Sequence, residues 1–299
     1  MSERSSDNRI YAFDAIRVFA TAGIVIYHLM LLWPDDRISA VPGMLPYNPG
    51  HVLVVLFFML SGAVLYYRDP DLSKAGSLKQ YFVRRWRRIF PRFYLCYLIC
   101  FIIAAAEAGK LFFRGDPLKL IWTVLGLDGY VYYRFPNYYL IGEWFLGALI
   151  ILYLVYPLLL SAIRKFDWIA IAVAAVLLAV SSRLGSFGMD PFRDPFCCMV
   201  SFLLGMWFMK HRLFEERKLL IPSIAAAVLL FIIPMPHILR NITLHLFSAS
   251  LFVILFNAGV PLTDRPGSRK LFSALSNASY TVFLVHHFLL IRVISLLSR

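Results

Sequence analysis

The chain has 299 residues, of which 60% are hydrophobic, 16% aromatic and only 16% charged, with a mean hydropathy of +0.71. A soluble domain is nearer half apolar and a quarter charged, so these figures exclude a water-soluble globular protein and predict an all-α, polytopic membrane protein. The net charge of +13 would suggest a nucleic-acid partner in a soluble chain. Here the positive-inside rule and anionic lipid account for it, and no nucleic acid is expected.

Apolar stretches long enough to cross a bilayer recur from end to end. In chain order, crossings are expected at about 13–33, 51–67, 89–107, 142–162, 167–183, 196–210, 219–234, 242–260 and 272–291. The polar start "MSERSSDNRI" leads into an uncleaved first span rather than a signal peptide. One further segment, 117–133, is short and interrupted by Gly126 and Gly129. It either crosses or dips in and returns. Charge favours the second: with a cytoplasmic N-terminus, the inner loops then carry 16 basic residues and the outer loops 8. Nine crossings plus a re-entrant piece are therefore expected, with a tenth crossing as the alternative. No soluble domain is visible between the spans, and 1–299 reads as a single domain. Cys96, Cys100, Cys197 and Cys198 all lie in apolar segments and read as small buried hydrophobes.

Polar residues inside spans are costly and need an explanation. The first span carries Asp14, Arg17 and His28. At 100° per residue, Arg17 and His28 fall about 20° apart and Asp14 about 40° away, so the three share one face. The second span contains Ser61-Gly62, which permits close helix approach. "FVRRWRRIFPRF" places Arg84, Arg85, Arg87 and Arg88 just before Pro91. Proline suits a first helical turn, so the third span is expected to start near Ile89, with the arginines preceding its N-terminus. By charge alone, that cluster either sets topology on an anionic leaflet or grips a bound anion. Glu143 stands at the outer mouth of the fourth span, and His286-His287 lie within the last. Adjacent helical residues point about 100° apart, so at most one of these two histidines is expected to face His28.

Taken together, these pieces resemble the acyltransferase-3 family of integral membrane O-acyltransferases. The matching elements are Asp14, Arg17 and His28, then "FFMLSG", then Arg85, Arg88, Ile89 and Pro91. They continue with the "WFL" span ending Tyr156-Pro157-Leu158, then Ser279, Tyr280, Phe283, Leu284 and His286. The order is kept over most of the chain. Two features depart from the family pattern: the fourth block has its only acid at Glu143, before Trp144, and His287 stands where Pro is usual.

The resemblance implies transfer of an acyl group, usually acetyl, from cytoplasmic acyl-CoA to a hydroxyl of a glycan, a lipid-linked sugar or a small metabolite. It also implies that Arg85 and Arg88 bind the donor; Arg84 or Arg87 is expected to join them on the CoA phosphates, and Asp14 and Arg17 to hold the entry of the donor channel. An alcohol attacking a thioester needs a general base, and imidazole suits that role near neutral pH. His28 is the candidate, with His286 and Glu143 as the other candidate catalytic residues. Ser61 and Tyr280 are candidate donors to the oxyanion. The histidines lack His-x-x-x-His spacing, so no metal is expected. A transporter or flippase is the alternative, because intramembrane charge also marks substrate paths, although no inverted repeat supports it.

Overall fold

A computed structural model describes residues 9–72, 78–184, 190–213, 216–236 and 239–297. Among these the chain is helical: α1 Tyr11–Leu32, α2 Asp36–Met44, α3 Pro49–Arg68, α4 Leu78–Ala108, α5 Leu120–Val124 and α6 Asp128–Val131. It continues with α7 Glu143–Leu184, α8 Pro195–Lys210, α9 Leu220–Ile232, α10 Arg240–Leu262 and α11 Pro266–Leu297. Six of these, α1, α3, α4, α7, α10 and α11, are long and apolar enough to cross a membrane. The protein is an all-α, multi-pass helical bundle. All four cysteines are buried, unpaired thiols.

Six helices of spanning length stand against nine expected crossings, for two reasons. First, α7 contains both crossings expected at 142–162 and 167–183, broken where Asp167 adopts φ 35° and ψ −104°. Tyr153 and Tyr156 face Phe202 of α8, and the Ile163 carbonyl accepts from Lys210 Nζ. Beyond Asp167, Trp168 packs on Trp207 and Ser181 bonds to Asp194. Residue numbers along α8 thus rise with the first leg of α7 and fall with the second, so the chain doubles back at Asp167. Second, α8 has 16 residues and α9 has 13, short of the roughly 20 a lone span requires. The shortfall is tolerable for α8, because it is walled by α3 and α7 rather than by lipid.

Helix starts follow local chemistry at several points. Asn48 caps α3 by accepting from the Gly50 and His51 amides, and Asp194 caps α8 by accepting from the Phe196 amide. Both caps are followed by Pro at the first helical position. The third span is different. Instead of beginning near Ile89, α4 starts at Leu78 and runs without interruption through Pro91. Pro91 cannot donate to the Arg87 carbonyl, yet the helix carries on. The arginines therefore project from the side of a formed helix, not from the turn before its N-terminus.

The segment 117–133 forms only short helical pieces, neither long enough to cross. Its two ends meet, since Tyr138 donates to the Gly115 carbonyl at 2.7 Å and Lys119 to the Pro136 carbonyl at 3.0 Å. Its middle reaches inward: Gly126, at φ +69°, lies so close to Ile150 that a Cβ there would come within 2.5 Å of the Ile150 side chain. The segment thus leaves and returns at the same end of the bundle.

The closest helix contact is between α3 and α8. A Cβ at Gly62 would fall 2.0 Å from the Phe202 carbonyl oxygen, and one at Gly205 would fall 1.9 Å from the Met59 carbonyl oxygen. The absence of a side chain at Gly62 and Gly205 lets the two backbones approach this closely. Gly62→Ala or Gly205→Ala should cost about 1–3 kcal/mol through forced separation of the helices. Gly43→Ala, where nothing lies within 4 Å, should be neutral. Thermal unfolding in detergent of the three variants measures the difference.

Candidate active site

The site is built on the seam between α1 and α11. Arg17 Nη1 donates to Ser276 Oγ at 2.8 Å, and His28 Nδ1 lies 2.7 Å from His286 Nε2. These partners are 259 and 258 residues apart, so the two helices run parallel and in register. The shared face of Asp14, Arg17 and His28 is the face that meets α11. Asp14 is buried and held by Arg9, whose Nε and Nη2 approach its two oxygens at 2.7 and 2.9 Å, with Arg17 at 3.6 Å. Here the pairing offsets what an isolated buried carboxylate would cost.

At the basic end of the bundle, Arg9, Asp14, Arg17, Arg68, Arg87, Arg88, Arg92 and Asn277 line an open chamber of about 400 Å³. It shares Arg17, Val64, Arg88, Arg92 and Asn277 with an inner cavity of about 140 Å³. The inner cavity runs past Ser61, Ser276 and Ser279 and ends at Phe57, Phe145 and Phe283. Arg85, Arg88 and Arg92 reach it together because a spacing of three and four puts them on one face of α4. That spacing was visible in the sequence, yet Arg92 was not singled out there.

The expected donor-binding arginines divide. Arg88 and Arg17 line both chambers, whereas Arg84 lines neither and instead donates to Asp69 at 3.2 Å. Arg85 does both: its Nη2 donates to Asp69 at 2.7 Å while it also lines the inner cavity. Its Nε is buried with no hydrogen-bond partner. A buried donor left unsatisfied costs about 1–3 kcal/mol, more when charged, so an acceptor entering the cavity would relieve it. Asp69 itself is buried, and its carbonyl accepts from Tyr156 at 2.8 Å.

His28 lies one turn from the far end of α1, not at mid-depth, and is half-buried. The tautomers of the pair follow from one carbonyl. His286 Nδ1 is 2.7 Å from the Phe283 carbonyl, which can only accept. His286 Nδ1 therefore carries the proton, and its Nε2 accepts. His28 Nδ1 must then donate, which leaves the lone pair of neutral His28 on Nε2. A hydrogen bond made by one ring nitrogen thus fixes the tautomer of His28.

Two expectations are corrected here. His287 does not point away: its ring centroid is 5.2 Å from that of His28, as close as His286 at 4.9 Å. Parallel helices in register let two consecutive side chains flank a ring on the neighbouring helix. Ser61 and Tyr280 line the cavity, but their hydroxyls donate to the Phe57 and Ile89 carbonyls at 2.8 and 3.3 Å, so neither proton points at an oxyanion. The Glu143 side chain lies outside the described residues; its backbone opens α7. Among the described residues, no group of three metal-binding side chains comes together.

The tautomer assignment is testable by ¹⁵N NMR of the histidine-labelled protein in detergent. Neutral His28 should show a protonated Nδ1 and an unprotonated Nε2, and His286→Gln should shift the ring towards the opposite tautomer.

With this geometry in hand, similarity to known proteins becomes informative. An alignment of 119 residues, 39% of this chain, is 25% identical to the peptidoglycan O-acetyltransferase OatA of Listeria monocytogenes serovar 1/2a. The chain matches 16% of that relative's length. No solved structure matches the chain. The acyltransferase-3 family, described as an acyltransferase domain, matches residues 10–299. With its arginine-lined cavity and paired histidines on one helix seam, the chain belongs to the acyltransferase-3 family.

Proposed function

We propose that the protein is a membrane O-acyltransferase that moves an acyl group, acetyl in the simplest case, from cytoplasmic acyl-CoA to a hydroxyl acceptor. The acceptor class is a cell-surface glycan, a lipid-linked sugar or a small metabolite. The observation that carries this is the His28–His286 pair, 2.7 Å apart, beyond the end of a cavity whose mouth is ringed by arginines. The relative named as a peptidoglycan O-acetyltransferase favours acetyl and a glycan.

The chemistry divides along the bundle axis. Arg17, Arg68, Arg87, Arg88 and Arg92 line a chamber suited to the phosphates of CoA, since arginine forks make charge-assisted bonds to phosphate. Arg68 and Phe57 on α3 are eleven residues apart, about 16 Å at 1.5 Å per residue, so a pantetheine arm can run inward along that face. At the far end, His28 Nε2 takes the proton of the acceptor hydroxyl as its oxygen attacks the thioester carbonyl. The tetrahedral intermediate expels the thiolate as the C–S bond breaks, and His28 returns the proton to give the CoA thiol. His286 does not touch the substrates in this scheme. It holds His28 in the required tautomer and supports the imidazolium that forms.

The basic end would face the cytoplasm of a cell membrane, the inner membrane where there are two, placing the N-terminus inside. Asp69, Lys210, Asp167 and Arg269 lie at that end, paired with Arg85, with one another, and over the Tyr11 ring at the start of α1. An impermeant thiol reagent applied to intact cells should label Arg37→Cys and spare His211→Cys. The reverse pattern would overturn the orientation.

His28→Gln should lower turnover by about 10²–10⁴ with little change in CoA binding, because a general base acts mainly in the transition state. Arg88→Ala should instead weaken CoA binding by about 1.5–3 kcal/mol, the worth of a hydrogen bond to a charged group. The Arg88→Ala variant should also lose part of the salt dependence of binding. Calorimetry with CoA and an acyl-transfer assay on the purified protein separate the two. An active His28→Gln enzyme would remove the histidine as base.

A further inference from the structure

The inner cavity stops one helical turn short of the histidine pair. On α11, Ser276, Ser279, Tyr280 and Phe283 line it, whereas His286, the next residue along that face, does not. Phe283 closes the end together with Phe57 at 5.6 Å and Phe145 at 4.8 Å between ring centroids. All three rings are buried. On its other side Phe283 meets the His286 ring at 5.6 Å, and His286 meets His28 at 4.9 Å. A single file of rings therefore connects the donor cavity to the candidate base, with Phe283 between the two. His28 and His287 are half-buried, while the three phenylalanines are sealed.

We infer that Phe283, backed by Phe57 and Phe145, is an aromatic septum that keeps the thioester away from water activated by His28, and so decides between acyl transfer and hydrolysis. The inference holds only if acyl-CoA is the donor. Water is a competing nucleophile at any site that activates a hydroxyl. If the base were open to the donor cavity at rest, it would deprotonate water as readily as an alcohol. Water's oxygen would add to the thioester carbonyl, the C–S bond would break, and acid and CoA thiol would leave with no acceptor used. A ring between thioester and base prevents this until it moves aside. Phe283 is joined directly to the pair, because its own carbonyl accepts from His286 Nδ1 and its ring lies against the His286 ring. Exclusion of water from a reactive intermediate is a known use of closure at active sites.

The test is CoA thiol release from acetyl-CoA by the purified full chain in detergent, with no acceptor present. Wild-type release should be slow. Phe283→Ala should raise it by up to about 10²-fold, the lower end of what a general base supplies. Phe283→Leu, which keeps bulk, should raise it less. Phe283→Ala combined with His28→Gln should bring release back to the wild-type level, which a merely loosened fold would not do. Protection of each variant by CoA in thermal unfolding shows that it is folded and binds donor. If Phe283→Ala is protected by CoA yet releases thiol at the wild-type rate, or if its release is unaffected by His28→Gln, the septum is wrong. If CoA does not protect the wild type, acyl-CoA is not the donor, and the septum falls with that reading. If Phe283→Ala alone loses protection, Phe283→Leu carries the decision by the same two criteria.

Discussion

Two glycines set the spacing on which the bundle depends. Gly62 of α3 and Gly205 of α8 bring backbone against backbone, each within reach of a carbonyl of the other helix. In lipid, helices gain little from burying apolar side chains against one another, so close packing supplies much of the attraction. The contact makes α3 the most buried of the spanning helices. With α3 fixed against α8, its opposite face, carrying Phe57, Ser61, Val64 and Leu65, becomes one wall of the inner cavity. The C-terminal end of the same helix delivers Arg68 to the chamber and Asp69 to Arg84, Arg85 and Tyr156. One close approach thus sets both the depth of the cavity and the anchoring of its arginines.

Charge within the bundle obeys a second constraint. A charge taken out of water must be paired or must serve a ligand. Asp14 and Asp69 are the two buried carboxylates at the basic end, and each holds arginines: Arg9 and Arg17 for one, Arg84 and Arg85 for the other. These four arginines are partly neutralised and positioned. Arg88 and Arg92 line the chamber beside them, and the Arg92 guanidinium donates to the Asn277 carbonyl of α11. The division explains why a run of basic residues that looks uniform in sequence acts unequally.

The histidines show how a seam converts two short motifs into one device. Asp14, Arg17 and His28 rise along α1 at intervals of three and eleven. Ser276 and His286 rise along α11 at ten. Because the helices are parallel and in register, Arg17 meets Ser276 near the basic end and His28 meets His286 near the other. The basic chamber and the histidine pair therefore lie at opposite ends of one seam, with the aromatic residues between them.

Composition and hydropathy by themselves determined the solvent, the all-α class and the approximate place of nine helical segments, because an apolar run of fixed length is a local property. Angular spacing determined that Asp14, Arg17 and His28 share a face. The family pattern brought His286 and Arg88 into the same list. Only the structure decided the rest, in most cases through a contact between residues far apart in sequence. The arginine run reads locally as a helix N-terminus because Pro91 favours one; the helix instead begins at Leu78, and its early turns are held by Tyr81 on the Tyr153 carbonyl and by Arg84 and Arg85 on Asp69. His287 reads as turned away from His28 because periodicity describes one helix, while the α1–α11 seam lets both histidines flank the same ring. The hydroxyls of Ser61 and Tyr280 read as available donors until the carbonyls that accept from them come into view. Phe283 stands in the sequence as one member of the Ser279–His286 motif, and its position between the cavity and the histidine pair exists only once α1, α3, α7 and α11 are assembled. A sequence fixes what each helix offers along its own length; which offers meet is settled by the register between helices, and that register comes from packing.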